Sequence, residues 1–553
     1  MNAPTRHSPA STVEIFQAFL RNALSAQQRN ESIVRDTWLD AARYLFPLDG
    51  ASVGAMLQRL AAEQRLVDAE AIARTLAQLE PHSALAQFNL GLALQFANRH
   101  DEAIAPYLDA LAIDPDLYSL RNNLAAAWLD RDPGSSEAAR LLEAALTHDA
   151  RDANLWVNLA KVRLARFDLA GALAASEQAV RLAPDDPVVV SNHGQKLREA
   201  QRWDDAEHCA TRALQLAPEY AGHRSNLGML HLLRGHYAAG WPEHEARWDG
   251  SKELAGKRPV FPGPAWTGQP LAGKTLLLWG EQGMGDLLQF CRYVPLLAER
   301  VHREGGRLVW NSFPQMGGLI SRTLARFVDE FTLGGGLESL PLFDYEVSMV
   351  TLPFVFDTRE DTIPSHVPYL RADPAAVDGW RARLAGETRL KVGLTWTGSR
   401  THQRNPFRRV GLERHEAYLR DLDNVAFYSL QPDAAADVAA ARSAGFDIAD
   451  HTGEFKRFDD TAAFIGALDL VISVCTSVAH LSGALGQRTW VLLDVNPHWV
   501  WLLDRQDSPW YPTATLYRQS RFAEWDAVFE RLRDDLDKLA AEAAGNAGTA
   551  AAS

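Results

Sequence analysis

The chain has 553 residues, 47% hydrophobic and 23% charged, with 56 Lys+Arg against 70 Asp+Glu and a net charge of −14. That length exceeds one core and predicts about three or four domains; the composition excludes wholesale disorder, and the acid excess leaves no basic footprint for nucleic acid. Cys209, Cys291 and Cys475 stand far apart without metal-type spacing, which excludes a disulfide scaffold and suits a reducing, cytoplasmic compartment.

Residues 1–46 predict an N-terminal helical segment. Arg6, Glu14 and Arg21 interrupt any apolar core there, so no secretory leader is expected. An uninterrupted apolar run of about 18 residues, the length that spans a membrane, occurs nowhere, and no transmembrane segment is expected.

From 47 to 250 the chain repeats itself. Asn89, Asn123, Asn158, Asn192 and Asn226 recur at steps of 34, 35, 34 and 34 residues. Two alanine columns keep the same period, Ala103, Ala138, Ala172, Ala206 and Ala110, Ala145, Ala179, Ala213, while Pro81, Pro115, Pro184 and Pro218 end the units. Small residues let paired helices approach closely, and a proline just past a helix end stops its continuation. A degenerate unit is expected from Pro47 to Pro81. An amide at one position of consecutive repeats offers donor and acceptor together, enough to hold an extended peptide of any sequence. The same amides serve equally to cap or bridge neighbouring helices, and both roles stay open here.

Residues 251–273, rich in Pro, Gly and Lys, predict a linker. Short apolar runs then alternate with helical stretches, the pattern of a parallel α/β sheet. Strands are expected at Thr275–Trp279, Arg307–Trp310, Tyr345–Met349, Lys391–Trp396, Val425–Gln431, Leu470–Val474 and Thr489–Leu493. The long gap around Asp357–Glu387 divides a lobe at 274–385 from one at 386–540; 541–553, built of small residues, predict a disordered tail.

Three segments carry chemistry. Gly280-Glu281-Gln282-Gly283-Met284-Gly285-Asp286 follows a strand and opens a helix, placing Asp286 at the edge where open α/β folds bind ligands. A carboxylate in a first helical turn also simply complements the helix dipole. Val474-Cys475-Thr476-Ser477-Val478-Ala479-His480 follows a buried strand, and its hydroxyls with free backbone N–H groups suit a diphosphate. Plain N-capping by Thr476 or Ser477, with His480 structural, is the alternative. Thr395, Thr397, Ser399, Arg404 and Arg408 lie in one loop after a strand, with Gln431 ending the next strand; guanidinium forks match phosphate oxygens, though basic loops are often only solvated. The Asp421-x-Asp423 pair sits at the end of a helical stretch and reads as surface.

Period, columns and proline punctuation resemble the tetratricopeptide repeat, and its asparagines are similar to the ladder in the arm of protein O-GlcNAc transferases. From about Leu271 to Leu536 the chain resembles heptosyltransferase-type, family 9-like GT-B glycosyltransferases, in the version that bacteria fuse to tetratricopeptide repeats. Met284-Gly285-Asp286-Leu287-Leu288 is similar to that family's Met-Gly-Asp-hydrophobic segment, and 474–480 to its Val-Asp-Thr-x-x-x-His motif. Cys475 stands where aspartate is usual, and Val500, in Trp499-Val500-Trp501, where arginine is common.

The resemblance implies an α-helical tetratricopeptide superhelix followed by an α/β GT-B unit of two Rossmann-like lobes, the acceptor on the first and the nucleotide-sugar on the second. It implies Asp286 as general base, Gln282, Gly283 and Gly285 as its acceptor loop, and a metal-independent reaction without a resident cofactor. Donor contacts would come from Thr395, Thr397, Ser399, Arg404, Arg408, Gln431, Cys475, Thr476, Ser477 and His480, and peptide contacts from Asn89, Asn123, Asn158, Asn192 and Asn226. The expected reaction moves a sugar to Ser/Thr hydroxyls of a protein acceptor, such as a flagellar or surface protein. A lipid-linked or lipopolysaccharide acceptor and a non-catalytic scaffold are the alternatives.

Overall fold

The computed structural model describes residues 9–117, 119–251, 253–281, 283–400 and 402–551. They divide into two compact units, Met1–Lys196 and Leu197–Ser553.

The first unit consists of helix pairs: Pro9–Gln28 with Ser32–Leu45, Gly50–Ala62 with Leu66–Leu79, Ala84–Phe96 with His100–Ile113, Leu120–Arg131 with Ser136–His148, and Ala153–Ala165 with Leu169–Leu182. Alanines 103, 110, 138, 172 and 179 are buried, so the small-residue columns are contact surfaces between helices. Gly91 shows how close the approach is: a Cβ there would lie 2.5 Å from the Tyr107 ring. The turn within a pair is set by one left-handed residue, Asn30, Gln64, Asn98 and Phe167, at φ of +59°, +60°, +59° and +64°. The pair with the 35-residue step lacks it; there the connection lengthens through Asp132-Pro133-Gly134-Ser135, and Ser135 Oγ caps the next helix through Ala138 N at 3.2 Å. Residues 9–45 are part of this array, since Gln17 Nε2 donates to Asp68 Oδ1 at 2.9 Å and Gln27 Nε2 to the Leu79 carbonyl at 3.2 Å.

The second unit opens with helices Trp203–Leu216, Ala221–Leu233 and Tyr237–His244, placed upstream of the domain junction expected at 250/251. The reason is shared core: Leu232, Leu233, Tyr237 and Trp241 pack in one cluster with Trp499, Trp501 and Trp510, and Trp241 Nε1 donates to the Thr358 carbonyl at 2.8 Å. Described residues of the stretch expected as a linker likewise pack on the first sheet. Trp266 is buried and its backbone N–H donates to the Glu346 carbonyl at 2.7 Å, while Phe261 packs on Trp279.

Ten strands follow: β1 Thr275–Trp279, β2 Arg307–Ser312, β3 Glu330–Leu333, β4 Tyr345–Ser348, β5 Leu390–Thr395, β6 Val425–Ser429, β7 Ile448–Asp450, β8 Leu470–Val474, β9 Thr489–Leu493 and β10 Ala514–Arg518. They form two parallel sheets, β3-β2-β1-β4 and β10-β9-β8-β5-β6-β7, so the chain is a tetratricopeptide-type helical array followed by two Rossmann-like GT-B lobes. Strands β3, β7 and β10 add to those expected from the apolar runs. In each sheet the order reverses beside one strand, β1 in the first and β5 in the second, which opens a crevice at the carboxyl ends. The final helix, Asp526–Ala551, runs into the stretch expected as tail as far as residue 551, where alanine, the strongest helix former, dominates; residues 552–553 lie outside the described residues.

Candidate functional site

Both crevices are lined by the segments singled out from the sequence. Asp286 is the third residue of helix Met284–Phe290, which starts from the loop after β1. Gly285 lies against the other lobe, since a Cβ there would meet His480 Cδ2 at 3.2 Å, and a Cβ on Gly283 would meet the Asp286 carboxylate at 2.2 Å. Both glycines are therefore close-approach positions, one for the facing helix and one for the carboxylate itself. Gln282 lies outside the described residues.

No hydrogen bond engages the Asp286 carboxylate among the described residues. Burial, then the neighbouring Glu281 charge, pushes its pKa up to about 7, with Arg247 partly opposing. Glu281 is held in turn: Arg247 Nη2 and Nε donate to its two oxygens at 2.5 and 3.2 Å, and Ser348 Oγ donates to Oε1. Arg247 also reaches Glu245 Oε1 at 2.6 Å and Thr351 Oγ1 at 3.0 Å. This buried network sits behind Asp286 and sets its electrostatic environment.

On the second lobe, Thr395 in β5 pairs in register with Ser473 in β8, bringing the loops after both strands together. Thr476 is the N-cap of helix Ser477–Ala484, its Oγ1 accepting from Val478 N at 3.2 Å. Arg408 spans the two loops: Nη1 donates to the Cys475 carbonyl at 3.0 Å, and its guanidinium lies over Gly398, where a Cβ would be 2.3 Å from Nη2. Thr397 N donates to Gln431 Oε1 at 3.1 Å, and Gly398 N to Asn405 Oδ1 at 2.9 Å. Thr395 Oγ1 is buried without a partner, and Ser399 is exposed at the loop tip.

Arg404 stands apart from Arg408. It donates to Glu199 Oε1 at 2.5 Å and to Asp494 Oδ2 at 2.7 Å, both carboxylates being buried. Asn496 Nδ2 also donates to Glu199, at 2.7 Å. Burial would raise the Glu199 carboxyl, but Arg404, Asn496 and Arg198 together hold it below its ordinary value; at Asp494 burial prevails and the pKa is raised.

Cys475 is buried, its Sγ accepting from Trp501 Nε1 at 3.1 Å, and burial pushes the thiol pKa up. His480 shares a hydrogen bond of 2.8 Å between Nδ1 and Tyr511 Oη and stacks on Trp501, with ring centroids 5.4 Å apart. Burial takes its pKa down to about 3, so the ring is neutral and its edge faces Gly285. Arg292 braces the same wall, donating to the Trp510 carbonyl at 2.5 Å and to Tyr369 Oη at 2.9 Å.

The asparagine column is drawn into the helices. Asn89 is only 3% exposed and donates to the Gly50 carbonyl at 3.0 Å. It is sealed between repeats. Asn123 and Asn192 donate to carbonyls one turn back in their own helices, Ser119 at 2.9 Å and Val188 at 2.8 Å. Asn158 reaches the adjacent repeat at Asn122 Oδ1, 2.8 Å away, and Asn226 is half-buried.

Sequence patterns missed Arg247, Glu199 and Asp494. Glu281 was visible inside the glycine segment but had no pattern of its own; the others are distant in sequence and meet only in the fold.

Comparison with known proteins adds three findings. The tetratricopeptide repeat family matches residues 84–117. Protein FlbA of Caulobacter vibrioides is 30% identical over 77% of this chain and 74% of its own length, and human Protein O-mannosyl-transferase TMTC1 is 28% identical over 29% of this chain and 18% of its own. Among solved structures, the family 9 glycosyl transferase of Veillonella parvula is 12% identical, spans 50% of this chain and 99% of its own, and superposes with a TM-score of 0.38.

Proposed function

The chain belongs to the family of Protein FlbA, and from that premise we propose that it is a glycosyltransferase moving a sugar from a nucleotide-sugar to a hydroxyl of a protein acceptor. The observation that carries this reading is Asp286: a carboxylate without a hydrogen-bond partner among the described residues, at the carboxyl edge of β1 beside Gly285, which meets the helix at Ser477, with its pKa near 7. A general base works best when its pKa lies near the working pH.

In this reading the donor diphosphate lies over the N-terminus of helix Ser477–Ala484. The positive end of that helix, the Ser477 hydroxyl and Arg408 take up its charge. The acceptor hydroxyl enters beside Asp286. Its oxygen bonds to the anomeric carbon as the bond from that carbon to the phosphate oxygen breaks; Asp286 takes the hydroxyl proton, and the nucleoside diphosphate leaves with the electron pair. The neutral His480 ring, backed by the buried Trp501 indole, borders the site without competing for the proton. Thr395, Thr397, Ser399 and Gln431 shape the loop at the phosphates.

A protein acceptor is favoured by the repeats in the first unit, and it is in keeping with the name of the human relative. Asn123, Asn158 and Asn192 are only half-buried, so their carbonyl oxygens remain candidates for peptide contact.

The test is nucleotide release by the purified chain from a panel of UDP-, ADP-, GDP- and CMP-sugars, with Asp286→Asn as the control. Turnover of one donor, lost in the variant, is the expected result; no turnover with any donor defeats the reading. The mass added to cellular proteins with and without the chain then separates a protein acceptor from a lipid-linked one.

A further inference from the structure

The helices that open the second unit bring together a set of ligand-type side chains outside the cleft. Glu207 lies on helix Trp203–Leu216, His231 on helix Ala221–Leu233, and His236 immediately before helix Tyr237–His244. One ligand atom from each lies within 4.8 Å of the others. We propose that Glu207, His231 and His236 form a three-residue binding site for a zinc ion, with water as the fourth ligand.

Distance is the first argument. His231 Nε2 and Glu207 Oε1 are 3.4 Å apart. That is long for an N–H···O bond, whose usual length is about 2.9 Å, but it matches the spacing of about 3.3 Å between two ligands bound to one tetrahedral zinc at about 2.0–2.1 Å.

The surroundings orient these atoms as metal sites do. His231 Nδ1 pairs with Glu243 Oε2 at 2.7 Å, the carboxylate partner that would hold the ring proton on Nδ1 when a metal takes Nε2. Arg234 Nη1 donates to Glu207 Oε2 at 2.7 Å and leaves Oε1 directed inward. His236 is exposed, its ring centroid 5.9 Å from that of His231, and its backbone N–H is anchored to the His231 carbonyl at 2.8 Å. A fixed pair and a third ligand on the solvent side give the ion a way in. Two imidazoles with one carboxylate select zinc over magnesium or calcium, which take oxygen ligands.

Calorimetric titration of the chelator-stripped, full-length protein with Zn²⁺ tests this. One saturable site is expected, weakened at least tenfold in His236→Ala and in Glu207→Gln, and about tenfold or more in Glu243→Gln, which alters only the orienting partner. His236 is exposed, so its replacement leaves the fold intact, as circular dichroism would check. Co²⁺ bound to the wild type should show the visible absorption of a tetrahedral complex and lose it in His236→Ala. Absence of saturable Zn²⁺ binding overturns the proposal. So does binding of equal strength in His236→Ala and Glu207→Gln, which would place the ion on other histidines.

Discussion

The indole N–H of Trp501 donates to the sulfur of Cys475 at 3.1 Å. Cys475 stands where the resembled family carries aspartate, so in this chain a thiol and an indole occupy the place of an ionised group. The thiol pKa is raised by burial, and the charges of Asp494 and Asp286 push it the same way. Cys475→Ala strands a buried N–H donor and should cost about 1–3 kcal/mol in urea unfolding, whereas Cys475→Ser keeps an acceptor and should cost less. Equal stability of the two variants would show that the thiol–indole bond contributes nothing. Cys475→Asp adds a carboxylate near two others and should destabilise more than either.

Asp286 links pH to both rate and stability. The pKa near 7 predicts that activity declines as pH drops below about 7, because the protonated carboxyl no longer accepts the acceptor's proton. Stability runs the other way. The folded state keeps the Asp286 proton up to about pH 7, while the unfolded chain loses it near 4, so folding binds the proton and stability falls as pH rises through that window. Asp286→Asn removes this term. Its melting temperature should match the wild type below about pH 4, exceed it increasingly from there to about pH 7, and keep a constant margin at higher pH. A constant difference between those two pH values would mean that Asp286 titrates normally.

The two arginines of the β5 loop should separate in the laboratory, although their sequence setting is the same. Arg404 neutralises two buried carboxylates, and breaking a buried pair by removing one partner typically costs about 3–5 kcal/mol. Arg404→Ala should therefore express poorly or melt early. Arg408 bonds one carbonyl at the mouth of the cleft, so Arg408→Ala should melt close to the wild type but bind nucleoside diphosphate at least tenfold more weakly by calorimetry. The opposite pattern, with Arg404→Ala stable and unable to bind nucleotide, would move the phosphate contact to Arg404.

That contrast marks what the sequence could reveal. Period and alanine columns gave the helix pairs because a small residue every 34 positions is a local signal, and buried central strands such as β1, β5 and β8 announce themselves as apolar runs. Strand β3 did not, since Glu330–Leu333 lies at an edge and is nowhere fully buried; β7 is only three residues long. Motif reading singled out Asp286 and Thr476 through the glycines and hydroxyls around them. It could not separate Arg404 from Arg408, because Glu199 and Asp494 are 205 and 90 residues away from Arg404 in sequence. Nor could it show that Asn89 is sealed, because its partner Gly50 lies in the preceding unit, where the repeat is degenerate.

Glu281 offers the sharpest control over the base. Its charge is the second cause, after burial, of the raised Asp286 pKa, and it is held by Arg247 and Ser348. Glu281→Gln keeps the shape and the hydrogen bond from Ser348 but removes the negative charge. The acid limb of the rate profile should then move below pH 7, since an ionised Asp286 no longer faces a like charge and gains from the unpaired Arg247. The same change leaves Arg247 with Glu245 alone and should cost several kcal/mol of stability, so the profile must be measured well below the melting temperature. Arg247→Met should move the limb upward, because it removes a cation that opposes the shift. If both substitutions leave the limb in place, the group titrating there is not Asp286.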